Sequence, residues 1–300
     1  MFSPYRSIRF FSALPGLLII AILLVEGVPI FTYYVPNITQ SRTPLLTCLH
    51  CLHLAYFVVC YVFCIWSYFA CVFTHPGRVT ESYIQDYERQ FGYEELRYCP
   101  VCNQKKPPRC HHCSICKMCV VNMDHHCPWL CNCIGYANKK FFILFLTYTW
   151  LGCFDITLTA FGDIFCLHDS FDLAVHPVSV VAILLAFSIS LCLFFFAGFH
   201  YWLVLHDKTT IESISSFSRF FSRSPATARR PVHYYENWCS VMDASPWIWL
   251  LPVHSASFAF SWDFLFHPSE SESDMSMEEM RSLVLHDMRH LQQQLPVPEV

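Results

Sequence analysis

The chain has 300 residues, of which 54% are apolar, 17% aromatic and 14% charged, with a formal net charge of −4. That balance excludes an ordinary soluble domain, where charged residues make up about a quarter of the chain. The net charge says little about partners, because an acidic tail sets it.

The apolar excess lies in four blocks, residues 10–34, 45–74, 141–166 and 178–204. Each is long enough for a helix across a hydrocarbon core, which needs roughly 20 residues. The first block ends in "FTYYVPN" rather than a small-residue cleavage site, which predicts a retained signal anchor. Arg6 and Arg9 precede it, and nine Lys/Arg residues from Arg78 to Lys140 lie between the second and third blocks. The loop after the first block carries only Arg42, and the loop after the third carries no Lys or Arg. The positive-inside rule therefore puts both termini and residues 75–140 in the cytosol. Glu26 and Asp155 sit within apolar runs, where ionisable groups are costly and are either functional or hydrogen-bonded between helices. The sequon Asn37-Ile38-Thr39 falls close to the membrane on the lumenal side.

This predicts an all-α integral membrane protein: a cytosolic arm (1–9), transmembrane helices 1 and 2 (10–74), a cytosolic cysteine-rich zinc domain (75–140), helices 3 and 4 (141–204), a C-terminal segment (205–266) and a tail (267–300). Within the C-terminal segment, residues 234–253 are aromatic and amphipathic, suited to a membrane interface. The tail opens as an acidic, serine-rich linker. Ser276 and Glu279 then form a capping box, and Met277, Met280, Val284, Met288, Leu291 and Leu295 repeat at spacings of 3 and 4, a helix suited to docking a partner. No internal repeat, glycine-rich phosphate loop or nucleic-acid signature is visible.

Nine of the 18 cysteines lie between Cys99 and Cys133, in a cytosolic stretch where disulfides rarely persist. Zinc takes four thiolate or imidazole ligands, and a Cys-x-x-Cys turn brings two sulfurs to one ion. Cys99/Cys102, Cys113/Cys116 and Cys116/Cys119 have that spacing. With His111, His112, His125 and His126 there are more donors than the eight positions of two closed sites. Adjacent residues point apart, which argues for two interleaved sites, but spacing alone does not choose the pairing. A thiol left over becomes a nucleophile beside an imidazole whose tautomer a carboxylate fixes. Asp124, His125 and Cys127 supply those three groups in order.

The stretch "CPVCNQKKPPRCHHCSICKMCVVNMDHHCPWLCNCIGYANKKFF" (99–142) resembles the DHHC family of protein S-acyltransferases. Thr209-Thr210-Ile211-Glu212 is similar to the family's TTxE motif, and Asn237-Trp238 lies in a segment like the family's C-terminal one. The resemblance implies one structural zinc on Cys99, Cys102, His112 and Cys119, and another on Cys113, Cys116, His126 and Cys133. It implies Cys127 as the nucleophile that takes a fatty acyl group from palmitoyl-CoA or another long-chain acyl-CoA, with His125 as base and Asp124 orienting it. The acyl group then passes to cysteines of membrane-associated proteins. The expected compartment is the Golgi or ER, with the plasma membrane as alternative. Cys110 and Cys131 have no assigned role. One departure is His75-Pro76-Gly77, where the family often has Asp-Pro-Gly. The competing reading is a membrane-anchored zinc scaffold or ubiquitin-ligase-like module with no acyltransferase activity.

Two further expectations concern the donor. Lys105, Lys106 and Arg109, with His111, are expected to attract the CoA phosphates. The acyl chain is expected to enter a cavity among the helices. Gly152, about 17 Å along helix 3 from Phe141, is expected to be its floor, on one face with Tyr148 and Asp155. Close helix packing is the other use for a glycine there.

Overall fold

The structure is a computed structural model that describes residues 27, 34–41, 43–91, 96–166, 177–221 and 232–255. The expected first membrane helix with Glu26 and the tail helix after Ser276 lie outside them. The described helices are α1 (Val35–Gln40), α2 (Pro44–Phe73), α3 (Glu81–Phe91), α4 (Lys139–Cys166), α5 (Pro177–Leu205), α6 (Thr210–Phe221) and α7 (Tyr234–Met242). Three of them contain stretches long and apolar enough to cross a membrane, Pro44–Phe73, Lys139–Thr159 and Ile183–Leu205.

The cysteine-rich region corrects the all-α expectation. It forms six strands in three antiparallel hairpins: β1 (Arg97–Cys99) with β2 (Gln104–Lys106), β3 (His111–Cys113) with β4 (Met118–Val120), and β5 (His125–Cys127) with β6 (Asn132–Ile134). Each strand has three residues, too short to show period-2 alternation against a cysteine-dense background. The hairpins also correct the expected lack of a repeat. Cys99, Cys113 and Cys127 close their first strands at intervals of 14 residues, paired with Gln104, Met118 and Asn132. The last loop residue in each, Asn103, Lys117 or Cys131, has φ between 50° and 58°, the left-handed turn that lets the chain reverse.

The chain divides into two compact units. In the first, containing most of the long helices together with α1 and residues 128–131, Tyr34, Phe57, Cys153, Ile156 and Ala186 form a buried apolar cluster. Asp155 accepts hydrogen bonds from Tyr34 Oη (2.5 Å) and His53 Nε2 (2.8 Å), so both carboxylate oxygens have partners between elements. The sequon lies within α1, where Ser41 Oγ donates to the Asn37 carbonyl.

The second unit contains the hairpins, α3 and the C-terminal segment. Val79, Ile84, Cys110 and Val121 bury themselves among the hairpins, so Cys110 is a core residue. Gly77, at φ 107°, accepts from Val121 N through its carbonyl, and its own N–H donates to His75 Nδ1. An imidazole nitrogen thus does at residue 75 what an aspartate carboxylate does in such turns. Gly135 leaves no room for a side chain: a Cβ there would lie 2.6 Å from both Pro76 O and Val120 Cγ1. Asn132 Nδ2 donates to the carbonyls of Cys71, Val72 and Thr74, which closes the last turn of α2. Asn237 Nδ2 does the same for α5 at Leu205 O, 2.7 Å away.

Candidate active site and metal centres

Alternation along a strand sorts the Cys/His donors. On β3, His112 and Cys113 point to opposite faces. His112 faces Cys119 across the hairpin, and the pair meets the first hairpin's Cys99 and Cys102. Cys113 and Cys116 meet His126 and Cys133, which face each other across the third hairpin. In each group of four the donor atoms lie within 4.8 Å of one another. The first group has Cys102 Sγ and Cys119 Sγ at 3.1 and 3.9 Å from His112 Nδ1. The second has Cys113, Cys116 and Cys133 Sγ at 3.7, 3.4 and 3.6 Å from His126 Nδ1. Ligand bonds of about 2.3 Å to sulfur and 2.0 Å to nitrogen give tetrahedral edges of about 3.5–3.8 Å. The two clusters fit that size, and each could hold a metal ion.

Three hairpins in series therefore make two interleaved centres, each from one hairpin's Cys-x-x-Cys loop and the next one's cross-strand His/Cys pair. The third hairpin has a Cys at the first loop position, Cys127, and Leu130 where the others have Cys102 and Cys116. Cys127 lies outside both clusters. His125 and Cys127 are two residues apart on β5, so they share the face turned away from His126.

Asp124, fully buried, anchors that face. Its carboxylate accepts from His125 Nδ1 (2.8 Å), Lys139 Nζ (2.9 Å), Thr210 Oγ1 (2.6 Å) and Thr210 N (3.1 Å). Burial alone would raise its pKa, but the His125 and Thr210 hydrogen bonds and the Lys139 charge hold it well below the usual carboxylate range. Burial would likewise lower His125, but its hydrogen bonds to Asp124 and Cys127 push it up to about 9. An imidazole beside a thiol is the arrangement that activates cysteine nucleophiles. Lys139 was legible in the sequence only as one more basic residue before a membrane helix.

Thr209 and Glu212 form a capping box on α6: Glu212 Oε2 accepts from Thr209 N (2.8 Å), and Thr209 Oγ1 accepts from Glu212 N (3.2 Å). That turn presents Thr210 to Asp124. Arg109, at φ 60°, donates to Asp207 Oδ1 and Oδ2 and to Glu212 Oε1 and Oε2, with its side chain only 10% exposed. A guanidinium enclosed by two carboxylates is not presented to CoA, so Arg109 departs from the expected donor group. Lys105 pairs with Glu88 at 2.5 Å. Lys106 and Arg97 stand directly opposite each other in the first hairpin, and their charges lower the pKa of His111 after burial has done so. Like charges in opposed positions cost stability unless an anion lies between them; Arg97 had no mark in the sequence beyond its charge.

In the first unit a narrow cleft is lined by Phe57, Tyr61, Cys64, Tyr148, Gly152 and Ile156, among others. Among the described residues, a Cβ on Gly152 would meet nothing within 4 Å.

Residues 92–216 match the family model described as DHHC palmitoyltransferase. The chain is 33% identical over 237 residues to palmitoyltransferase ZDHHC15 of Xenopus laevis, covering 68% of this chain and 69% of that protein. It is 32% identical over 274 residues to the probable protein S-acyltransferase 14 of Arabidopsis thaliana, covering 82% and 88%, and 31% identical to human palmitoyltransferase ZDHHC15 over 65% and 66%. Relatives of that identity and coverage, with the Cys/His clusters and Asp124-His125-His126-Cys127 arranged as described, make this chain a member of the DHHC palmitoyltransferase family and a protein S-acyltransferase.

Proposed function

We propose that the acyl group travels through a thioester on Cys127. The observation that carries this reading is that Cys127 lies outside both clusters while sharing a strand face with His125, whose Nδ1 is bound to Asp124. The Cys127 thiolate, paired with the His125 imidazolium, attacks the thioester carbonyl of a long-chain acyl-CoA. The C–S bond to CoA breaks, and the leaving thiolate takes the imidazolium proton. In the second step neutral His125 takes the proton of an acceptor cysteine, whose sulfur attacks the acyl-enzyme and expels the Cys127 thiolate. One thioester is exchanged for another, so positioning and proton management are what the protein supplies. Asp124, held by Lys139 and Thr210, keeps His125 in the tautomer whose other nitrogen faces the sulfur.

The two clusters are assigned to structural zinc. The protein fills all four positions of each, which leaves none for water, and the ions cross-link three-residue hairpins too short to hold alone. Donor recognition is assigned to Lys106 and His111, with Lys105 at the edge and Arg97 as a further member. The acyl chain is assigned to the cleft lined by Gly152 and Tyr148, where each buried methylene contributes about 0.8 kcal/mol. Acceptors are cysteines on the cytosolic side of membrane-associated proteins. The distribution of the chain's basic residues supports an orientation with both termini cytosolic, and the membrane assigned to it is an endomembrane, the Golgi or ER.

The test is incubation of detergent-solubilised protein with labelled palmitoyl-CoA. Wild type should acquire a hydroxylamine-sensitive label, and Cys127→Ser should lose it while keeping two zinc equivalents. Loss of zinc from that variant would show that ligand and nucleophile have been exchanged in this assignment.

A further inference from the structure

The last turn of α5 carries a feature that neither thioester exchange nor the metal clusters use. Trp202 and His206 face each other at a tilt of 31° with ring centroids 4.6 Å apart, and Tyr234 at the start of α7 meets His206 edge-on at 5.4 Å. His206 is fixed in place by its Nδ1 hydrogen bond to Trp202 O, 2.9 Å. Lys208 Nζ lies over the Trp202 ring, 5.2 Å from its centroid, and has no carboxylate partner among the described residues. The neighbouring Asp207 carboxylate is engaged by Arg109, so it does not answer the Lys208 charge.

Position narrows what this assembly would meet. Trp202 lies within the membrane-capable stretch Ile183–Leu205, three residues before its end, and His206 and Lys208 follow directly. Trp202 and Tyr234 are 40% and 52% exposed. The aromatic surface continues from Tyr201 on α5 to Trp238 on α7, and through Trp249 to Tyr235. Aromatic rings at a span's end lie at the level of lipid headgroups, where a lysine ammonium meets phosphate.

We propose that Trp202, His206, Lys208 and Tyr234 form a binding site for the headgroup of an anionic phospholipid. Lys208 contacts the phosphate, and the rings flank the glycerol and the first methylenes. A zwitterionic lipid offers the same phosphate but places its own ammonium beside Lys208, so the site prefers a net negative headgroup. Bound there, the lipid ties α7 to the end of α5, the junction that Asn237 closes at Leu205.

The experiment uses the full chain in nanodiscs and reads tryptophan fluorescence. Phosphatidylserine brominated on its acyl chains is compared with equally brominated phosphatidylcholine at the same mole fraction. Brominated phosphatidylserine should quench more strongly, and the excess should vanish in Trp202→Phe and in Lys208→Gln while Lys208→Arg retains it. Zinc content, unchanged in each variant, confirms that the fold is intact. Adding free CoA should leave the excess in place; if CoA removes it, the phosphate recognised is the donor's and the proposal fails. Equal quenching by the two lipids, or an excess that survives Lys208→Gln, also overturns it.

Discussion

Thr210 meets Asp124 twice, through its hydroxyl and its backbone N–H, and this double contact decides how a substitution there should behave. Thr210→Val keeps the backbone bond and removes the hydroxyl. A hydrogen bond to a charged group contributes about 1.5–3 kcal/mol, so acyl-enzyme formation should slow by roughly tenfold or more. Thr210→Ser should restore most of the rate, and zinc content should not change in either. The basic residues divide in the same manner. Lys106→Ala should raise the KM for acyl-CoA, with an effect that shrinks at high salt, and kcat should hold. Arg109→Met instead strands Asp207 and Glu212 without their cation, so it should destabilise the fold by about 3 kcal/mol or more in thermal unfolding. A salt-dependent KM effect at Arg109 with unchanged stability would return that residue to the donor site. Cysteine spacing and the tetrad Asp124 to Cys127 were legible in the chain because those residue types carry their chemistry with them. Lys139, Arg97 and the inward turn of Arg109 were not, because a lysine or arginine reads the same whether it meets solvent, a phosphate or a buried carboxylate.

At the scale of elements, the 14-residue hairpin repeat explains the order of the site. Two Cys-x-x-Cys loops are followed by a third loop with Leu130 at the second cysteine's place, and Cys127, the proposed nucleophile, is the thiol that a metal-binding pattern leaves when one ligand is withdrawn. Spacing alone admitted several ligand pairings; the family resemblance implied the two sets found, and strand alternation supplies their physical reason, in hairpins too short to show in the sequence. Cys116→Ala removes a ligand from the cluster that the second and third hairpins share. It should lower zinc content and abolish self-acylation even though Cys127 is untouched, because structural zinc binding contributes folding free energy directly. Retained acylation with one zinc missing would separate the active strand from the metal. Gly135→Ala places a methyl against the Pro76 carbonyl and Val120. Overpacking of this kind costs about 1–3 kcal/mol, which a fall in the thermal midpoint would register.

For the whole molecule, hydropathy marked the three long apolar helices α2, α4 and α5 to within a few residues, each of them long and apolar enough to cross a membrane. The cleft beside Gly152 was not a matter of composition: glycine in a long apolar helix serves close packing as readily as open space, and composition does not reveal that its Cβ position has no neighbour within 4 Å among the described residues. Gly152→Phe should shift donor preference towards shorter acyl-CoAs with zinc content unchanged; an unaltered chain-length profile would remove Gly152 from the acyl site. Asp155, expected in the same wall, is instead occupied with Tyr34 and His53.

The central claim is that the cysteine outside the two metal clusters is the one that carries the acyl group. Peptide mapping of the acyl-enzyme by mass spectrometry, on protein trapped with palmitoyl-CoA before acceptor is added, tests it most directly. The account predicts one palmitoyl group, on Cys127, in protein that holds two zinc ions. An acyl group on Cys131 or on a cluster cysteine, with Cys127 unmodified, would contradict it.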